Sequence, residues 1–290
     1  MPTSSMQVAQ KHSQNPLILA DTHVHIYDCF DLNSFLESAL LNFQNSSRVY
    51  GKTENYTSLL FLTETSRDNY FAEMAKVVKS PSHSENLLPG WTILETEENC
   101  SLYARSSDGR GVYIVAGRQI VTAENLEVLA LATIGEIPEG LPTEVTIREV
   151  IDRGGIPVIP WGFGKWFGHR GALLSNLLQQ EDSPTFFLGD NSGRPVFWPR
   201  PPLFEQAEQK GMMVLPGTDP LPFASQFSRP GKFGFAMSGN FDPAKPAESV
   251  KNLLKDASTS IQPYGALENP WQFVQNQIAM QLVKRKRTKK

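Results

Sequence analysis

Two hydrophobic rhythms alternate along this chain. Leu17-Ile18-Leu19-Ala20 is an unbroken apolar run that passes into Asp21-Thr22-His23-Val24-His25. Such a run predicts a buried strand. Strand side chains alternate faces, so Asp21, His23 and His25 share one side, with Thr22, Val24 and Ile26 opposite. From Phe30 to Asn42 the spacing turns helical, with Phe30, Leu32, Phe35, Leu36, Ala39, Leu40 and then Phe43 as the apolar positions. Ser58-Leu59-Leu60-Phe61-Leu62 predicts a second buried strand, and Ser66 or Asp68 suits the cap of a helix running to Val78. Residues 91–95, 102–104 and 112–115 read as strands, with Ser107-Asp108-Gly109-Arg110-Gly111 as the hairpin turn between the last two.

Residues 119–122 and 126–132 fit strand or short helix–strand pieces equally well. Thr143 caps a helix that ends at Arg153, where Gly154-Gly155 stops it. Strands are predicted over 156–160, 186–188, 212–215 and 233–237. Helices are predicted over 171–180, 203–210, 247–257 and 271–283. Repeated strand–helix units whose strands are apolar on both faces predict an α/β domain with a parallel sheet. No Gly-x-Gly-x-x-Gly follows the first strand, which favours a closed barrel over an open dinucleotide-binding sheet. The expectation is one barrel domain over 17–283, with the 91–115 hairpin as an elaboration.

Composition narrows the setting. No stretch approaches the roughly 20 uninterrupted apolar residues of a membrane helix. Residues 1–16 are polar and read as a disordered lead-in. Cys29 and Cys100 are the only cysteines, too few for a disulfide framework, so a reducing cytoplasm is the expected compartment. The chain has 27 basic and 30 acidic residues, but six of the basic ones crowd into 284–290. The remaining body carries 21 against 30, a net of −9. A basic tail can bind nucleic acid, yet an acidic body repels a phosphate backbone, so a nucleic-acid partner is disfavoured.

In a parallel barrel the chemistry gathers where strands end. Here that rule selects His23 and His25 after the first strand, Glu64 after the second, Glu136, Asp190 and Asp219. Two imidazoles and a carboxylate suit a divalent ion such as zinc, manganese or iron, so His23, His25 and Asp219 are the expected ligands. Asp21, Asp190 or Glu136 could complete the shell, and Asp21 could instead orient a histidine. The segment Trp161 to Gly171 sets Lys165, His169 and Arg170 among glycines ahead of a helix start, an arrangement that suits an anionic substrate. Asp219 or Asp190 is the expected base, with Lys165 as a base or electrostatic stabiliser.

Asp21-Thr22-His23-Val24-His25 and Gly217-Thr218-Asp219 resemble the first and last metal motifs of the polymerase-and-histidinol-phosphatase (PHP) domain, which is related in plan to the amidohydrolases. Val115-Ala116-Gly117-Arg118-Gln119-Ile120 is similar to that family's strand with a Gly-x-Glu ligand, and 154–161 to its Gly-Gly-x-x-x-x-x-His-Pro strand. The resemblance implies a distorted barrel of seven strand–helix units and metal-dependent hydrolysis of a small anionic substrate. This chain departs from the pattern. The glutamate position is Gln119, the His-Pro histidine is Trp161, and the closing Asp-x-His reads Asp219-Pro220-Leu221. The resemblance therefore implies one metal rather than three, and its alternative is a metal-free barrel that binds a small ligand.

Overall fold

A computed structural model describes residues 16–79 and 88–287. Strands β1 (Leu17–Val24), β2 (Tyr56–Leu62), β3 (Trp91–Glu95), β4 (Ser101–Ser106), β5 (Gly111–Val115), β11 (Gly234–Ser238) and β12 (Gln262–Tyr264) form a seven-stranded sheet in the order β12-β11-β1-β2-β5-β4-β3. Strands β6 (Gly117–Val121), β7 (Glu127–Leu131), β8 (Ile156–Pro160), β9 (Phe187–Asn191) and β10 (Val214–Gly217) form a second sheet in the order β10-β9-β8-β7-β6. The helices are α1 (Leu32–Val49), α2 (Tyr70–Lys79), α3 (Thr143–Asp152), α4 (His169–Gln179), α5 (Pro202–Gln209), α6 (Pro246–Lys255) and α7 (Pro270–Arg287).

The expected distorted (β/α)7 barrel is therefore corrected to two open, mixed sheets. The reason lies in the connections. A parallel neighbour needs a crossover of about a dozen residues or more. Strands β3, β4 and β5 follow one another with tight links and pair antiparallel. Strands β6 and β7 form a hairpin through Asn125, which takes a left-handed φ of 57°. This hairpin resolves the stretch that periodicity left open. Antiparallel pairs also join β7 to β8 and β1 to β11.

The apolar runs are explained by burial on both faces. All eight residues of β1 are buried. Leu17 and Leu19 join Phe35, Leu36, Phe43, Leu60 and Leu62 beneath α1. Their alternates Ile18 and Ala20 join Leu59 and Phe61, and these meet Leu129, Val158 and Leu215 of the second sheet. A third cluster, including Ile147, Leu174, Leu188 and Phe204, seats α3, α4 and α5 on the outer face of the second sheet. Asp31 caps α1 by accepting from Ser34 N at 2.8 Å. Helix α7 outruns its expected end, so residues 284–287 of the basic run continue its backbone; 288–290, the lead-in 1–15, His12 and His83 lie outside the described residues.

The two sheets touch along two seams, each of a few hydrogen bonds rather than a ladder. At the first, Glu64 bridges to Arg118: Glu64 N donates to Gly117 O at 3.1 Å and Gln119 N to Glu64 O at 2.9 Å. At the second, Asp219 N donates to His23 O at 2.7 Å and Thr22 Oγ1 to Pro216 O at 2.9 Å.

Gly117 makes the first seam sterically feasible. A Cβ there would overlap Leu62 O and stand 2.8 Å from Ala130 O. Gly117→Ala should force the seam apart and lower stability by about 1–3 kcal/mol, the usual scale of overpacking. Urea unfolding measures this, and an unchanged midpoint would show that the seam yields freely.

Candidate metal centre

Both seams end at one place. The first sheet delivers His23 and His25 at the end of β1, and the second delivers Asp219 just past β10. His23 Nε2 lies 3.2 Å from His25 Nε2. Asp219 Oδ1 lies 3.5 Å from His23 Nε2 and 3.6 Å from His25 Nε2. These are close to the edges of a tetrahedron built with metal–ligand bonds of ~2.0–2.2 Å, about 3.3–3.6 Å. The three residues are a group whose donor atoms could hold one ion. Two neutral oxygens stand beside it: Gln119 Oε1 at 3.3 Å from His23 Nε2, and Thr63 Oγ1 at 3.4 Å from His25 Nε2.

Electrostatics suits cation binding. Burial, reinforced by the charge of His23, lowers the pKa of His25 to about 4, so its imidazole is neutral at physiological pH and has a free lone pair. Burial also opposes ionisation of Asp219. His23, His25, Lys165 and the Asn191 amide outweigh that and hold its carboxyl below the ordinary range. The Asp219 side chain keeps 24 % exposure, so one side of the group opens outward. His25 Nδ1 is buried without a hydrogen-bond partner among the described residues, so the ring's polar contacts are all made through Nε2.

Asp21 does different work. Its Oδ1 accepts from Thr218 N at 2.9 Å and His23 N at 3.3 Å. Its Oδ2 accepts from Thr218 Oγ1 at 2.6 Å and Gly231 N at 2.9 Å. A fully buried carboxylate thus clamps β1 to the residue that precedes Asp219. Burial pushes its pKa up to about 6, and the bonds from Thr218, Gly231 and His23 resist that rise. Gly217 allows the same approach: a Cβ there would stand 2.5 Å from His23 N and 2.9 Å from its Cα. Asp219 itself takes a left-handed φ of 46°, a costly conformation for a side-chain-bearing residue that the surrounding bonds maintain.

The other expected residues stand as follows. Asp190 turns away from the histidines and is gripped by Arg194, with Nε and Nη2 at 2.9 and 2.7 Å from its two oxygens. Its neighbour Asn191 takes the inward position and donates to Asp219 Oδ2. Alternation along β9 allows only one of the pair to face inward, and the preference for an acidic residue selected the wrong member. Thr63, which ends the second strand beside Glu64, stands next to His25. Lys165 pairs with Glu127 of β7. Arg170 donates to Gly164 O at 2.8 Å and Asn125 O at 3.3 Å, so its guanidinium braces the loop. Trp161 is buried in the outer cluster, and His169 is exposed at the start of α4. Glu136 is exposed and is no member of the group.

No protein-family model matches the chain, and no curated protein matches it in sequence. Its fold is similar to the crystal structure of PsfC from Pseudomonas syringae, with a TM-score of 0.52 at 16% identity over 92% of this chain and 99% of that one. It is also similar to PfuEndoQ, a lesion-specific endonuclease from Pyrococcus furiosus, with a TM-score of 0.50 at 12% identity over 86% of this chain and 59% of that one. The likeness is one of fold. Among the described residues no helix is long and apolar enough to cross a membrane.

If Asp21 positions the group, removing it should disturb metal binding although it is no ligand. Asp21→Ala orphans buried donors on Thr218, Gly231 and His23, at about 1–3 kcal/mol for each left unsatisfied. Stability and zinc affinity should both fall. Calorimetry on the folded variant checks this, and wild-type affinity would leave Asp21 a purely structural role.

Proposed function

We propose that this chain is a metal-dependent hydrolase of the PHP type, holding one divalent ion through His23, His25 and Asp219. The observation that carries the reading is the convergence of two imidazoles and a carboxylate at tetrahedral spacing, on strand ends contributed by both sheets. The motif resemblance at both ends of the series supports it. So does the fold likeness to an endonuclease, an enzyme class that cleaves phosphoesters. Zinc, manganese and iron all suit this donor set. A bound ion would supply Lewis-acid polarisation of a substrate oxygen.

The chain's own residues divide the remaining work. Asn191 fixes Asp219 Oδ2 and leaves Oδ1 toward the histidines. Gln119 presents a neutral oxygen where the family has a carboxylate, so the site keeps less negative charge and favours a single ion. The proposed substrate is a phosphoester, or an ester or amide bearing a carboxylate. Lys165 is the side chain proposed to meet it. Its ammonium is partly exposed, pairs with Glu127 and favours the ionised form of Asp219. Binding an anion there exchanges the Glu127 carboxylate for the phosphate or carboxylate of the substrate.

One observation favours a second reading. Gln119 Oε1 can accept directly from His23 Nε2, which closes the cluster without an ion and leaves a metal-free ligand pocket. Elemental analysis separates the two. Wild-type protein equilibrated with zinc, manganese or ferrous iron and then dialysed should retain about one ion per chain, and His23→Ala with His25→Ala should retain none. Absence of metal from wild type sinks the hydrolase reading.

Activity on phosphomonoester and phosphodiester probes should require the ion. Lys165→Met should weaken anionic-substrate binding by about 1.5–3 kcal/mol, the worth of a charge-assisted hydrogen bond, with a small effect on thermal stability. An unchanged KM would mean that Lys165 serves only Glu127.

A further inference from the structure

The peptide that leads into Asp219 is pinned at both ends. Asp219 N donates to His23 O at 2.7 Å, and Thr218 O accepts from Ser192 Oγ at 2.7 Å. A peptide unit is planar, so two such bonds fix its orientation. Together with the left-handed φ of 46° at Asp219 they aim the carboxylate. Asn191, next to Ser192, fixes the rotation of that carboxylate by donating to Oδ2. The Asn191 carboxamide is oriented in turn, because Gly193 N donates to its Oδ1 at 2.6 Å. Glycine suits this approach: a Cβ at 193 would stand 2.9 Å from the same oxygen.

Residues 191–193 are themselves gripped by an ion pair drawn from elsewhere in the chain. Arg229 donates through Nη2 to Ser192 Oγ at 2.6 Å and through Nη1 to Glu268 Oε1 at 2.5 Å. Glu268 Oε2 accepts from Asn276 Nδ2 of α7 at 2.8 Å. Backbone bonds join the same pieces, with Glu268 N donating to Arg194 O at 3.1 Å and Val196 N to Glu268 O at 2.9 Å. Ser192, Glu268 and Asn276 are buried, and the Arg229 side chain keeps 18% exposure. An ion pair removed from water is a weak source of stability, because desolvation offsets its attraction. It supplies direction instead. Arginine has no acceptor, so it must donate to the Ser192 hydroxyl. The single hydroxyl proton is then left for Thr218 O.

We infer that Ser192, Arg229 and Glu268 are positioning residues for Asp219, a buried relay that holds its Oδ1 toward the two histidines. The inference rests on the proposed metal reading, and none of the three belongs to the donor group. Its task differs from that of Asp21. Asp21 draws β1 against the Thr218 N–H and hydroxyl, whereas the relay sets the peptide plane and the side-chain rotation that follow.

Cobalt(II) titration of the full chain, followed by visible absorption, tests this. The bands of bound cobalt report ligand geometry as well as occupancy. Wild type should take up about one ion per chain. Ser192→Ala should bind it about tenfold or more weakly, the usual loss when a partner that orients a ligand is removed, and with altered bands. Arg229→Met should act in the same direction by freeing the Ser192 hydroxyl to rotate. Ser101→Ala is the control for lost stability alone. It removes a buried hydroxyl of β4 that bonds Thr96 and Glu98, and it should bind as wild type does. Where Arg229→Met fails to fold, Ser192→Ala decides. Wild-type affinity and spectrum in Ser192→Ala overturn the inference and leave the metal reading standing. An equal loss in Ser101→Ala also overturns it, since general destabilisation is then the cause. A wild type that takes up no cobalt overturns both.

Discussion

The arrangement of the whole site depends on one buried carboxylate. Asp21 sits in β1, an interior strand of the larger sheet, and accepts from Thr218, on the last strand-end of the smaller one, and from Gly231 on the return toward β11. Removing a carboxylate from water is expensive, and only multiple donors make it tolerable. Those donors come from segments 197 and 210 residues further along the chain. They can be supplied only when β1 and β10 lie against each other, so the bond set favours the one approach that also brings Asp219 to the histidines. Gly217 removes the steric obstacle to that approach.

The seam at Glu64 follows the same logic at lower charge. At the end of β2 the Glu64 backbone N–H donates to Gly117 and its carbonyl accepts from Gln119, which sets Gln119 beside His23 and Thr63 beside His25. The candidate site therefore occupies the edge where two open sheets come together, rather than the mouth of a closed barrel. His23 and His25 are buried at the end of β1, and Asp219, just past β10, is held in a left-handed conformation that only a well-determined surrounding can sustain. A candidate site on such supports would lose little ordering entropy on taking up an ion, which is the physical advantage of preorganisation.

Charge is segregated on a larger scale too. The loop that glycine content marked as an anion cradle spends its cations internally, Lys165 on Glu127 and Arg170 on backbone carbonyls. Arg194 and Arg229 are likewise spent on Asp190 and Glu268. The concentrated basic run at the end of α7 stands apart from these pairs in sequence.

The sequence by itself determined the buried strands, most helices and the three residues that converge. These are local or pattern-borne properties: Leu17–Ala20 and Leu59–Leu62 are apolar at every position because both faces are covered, and His-x-His lies on one face by strand alternation. The partners of each side chain were decided only by tertiary structure. Asp21 and Asp219 are both strand-end aspartates, yet one is a clamp and the other faces the histidines, because Thr218 and Gly231 reach only the first. Asn191 rather than the expected Asp190 bonds Asp219, because the sequence does not tell which face β9 turns inward. Sheet closure was illegible for the same reason. Apolar periodicity reports that a strand is covered, but not the direction of the neighbour that covers it, and here antiparallel neighbours opened the expected barrel into two sheets.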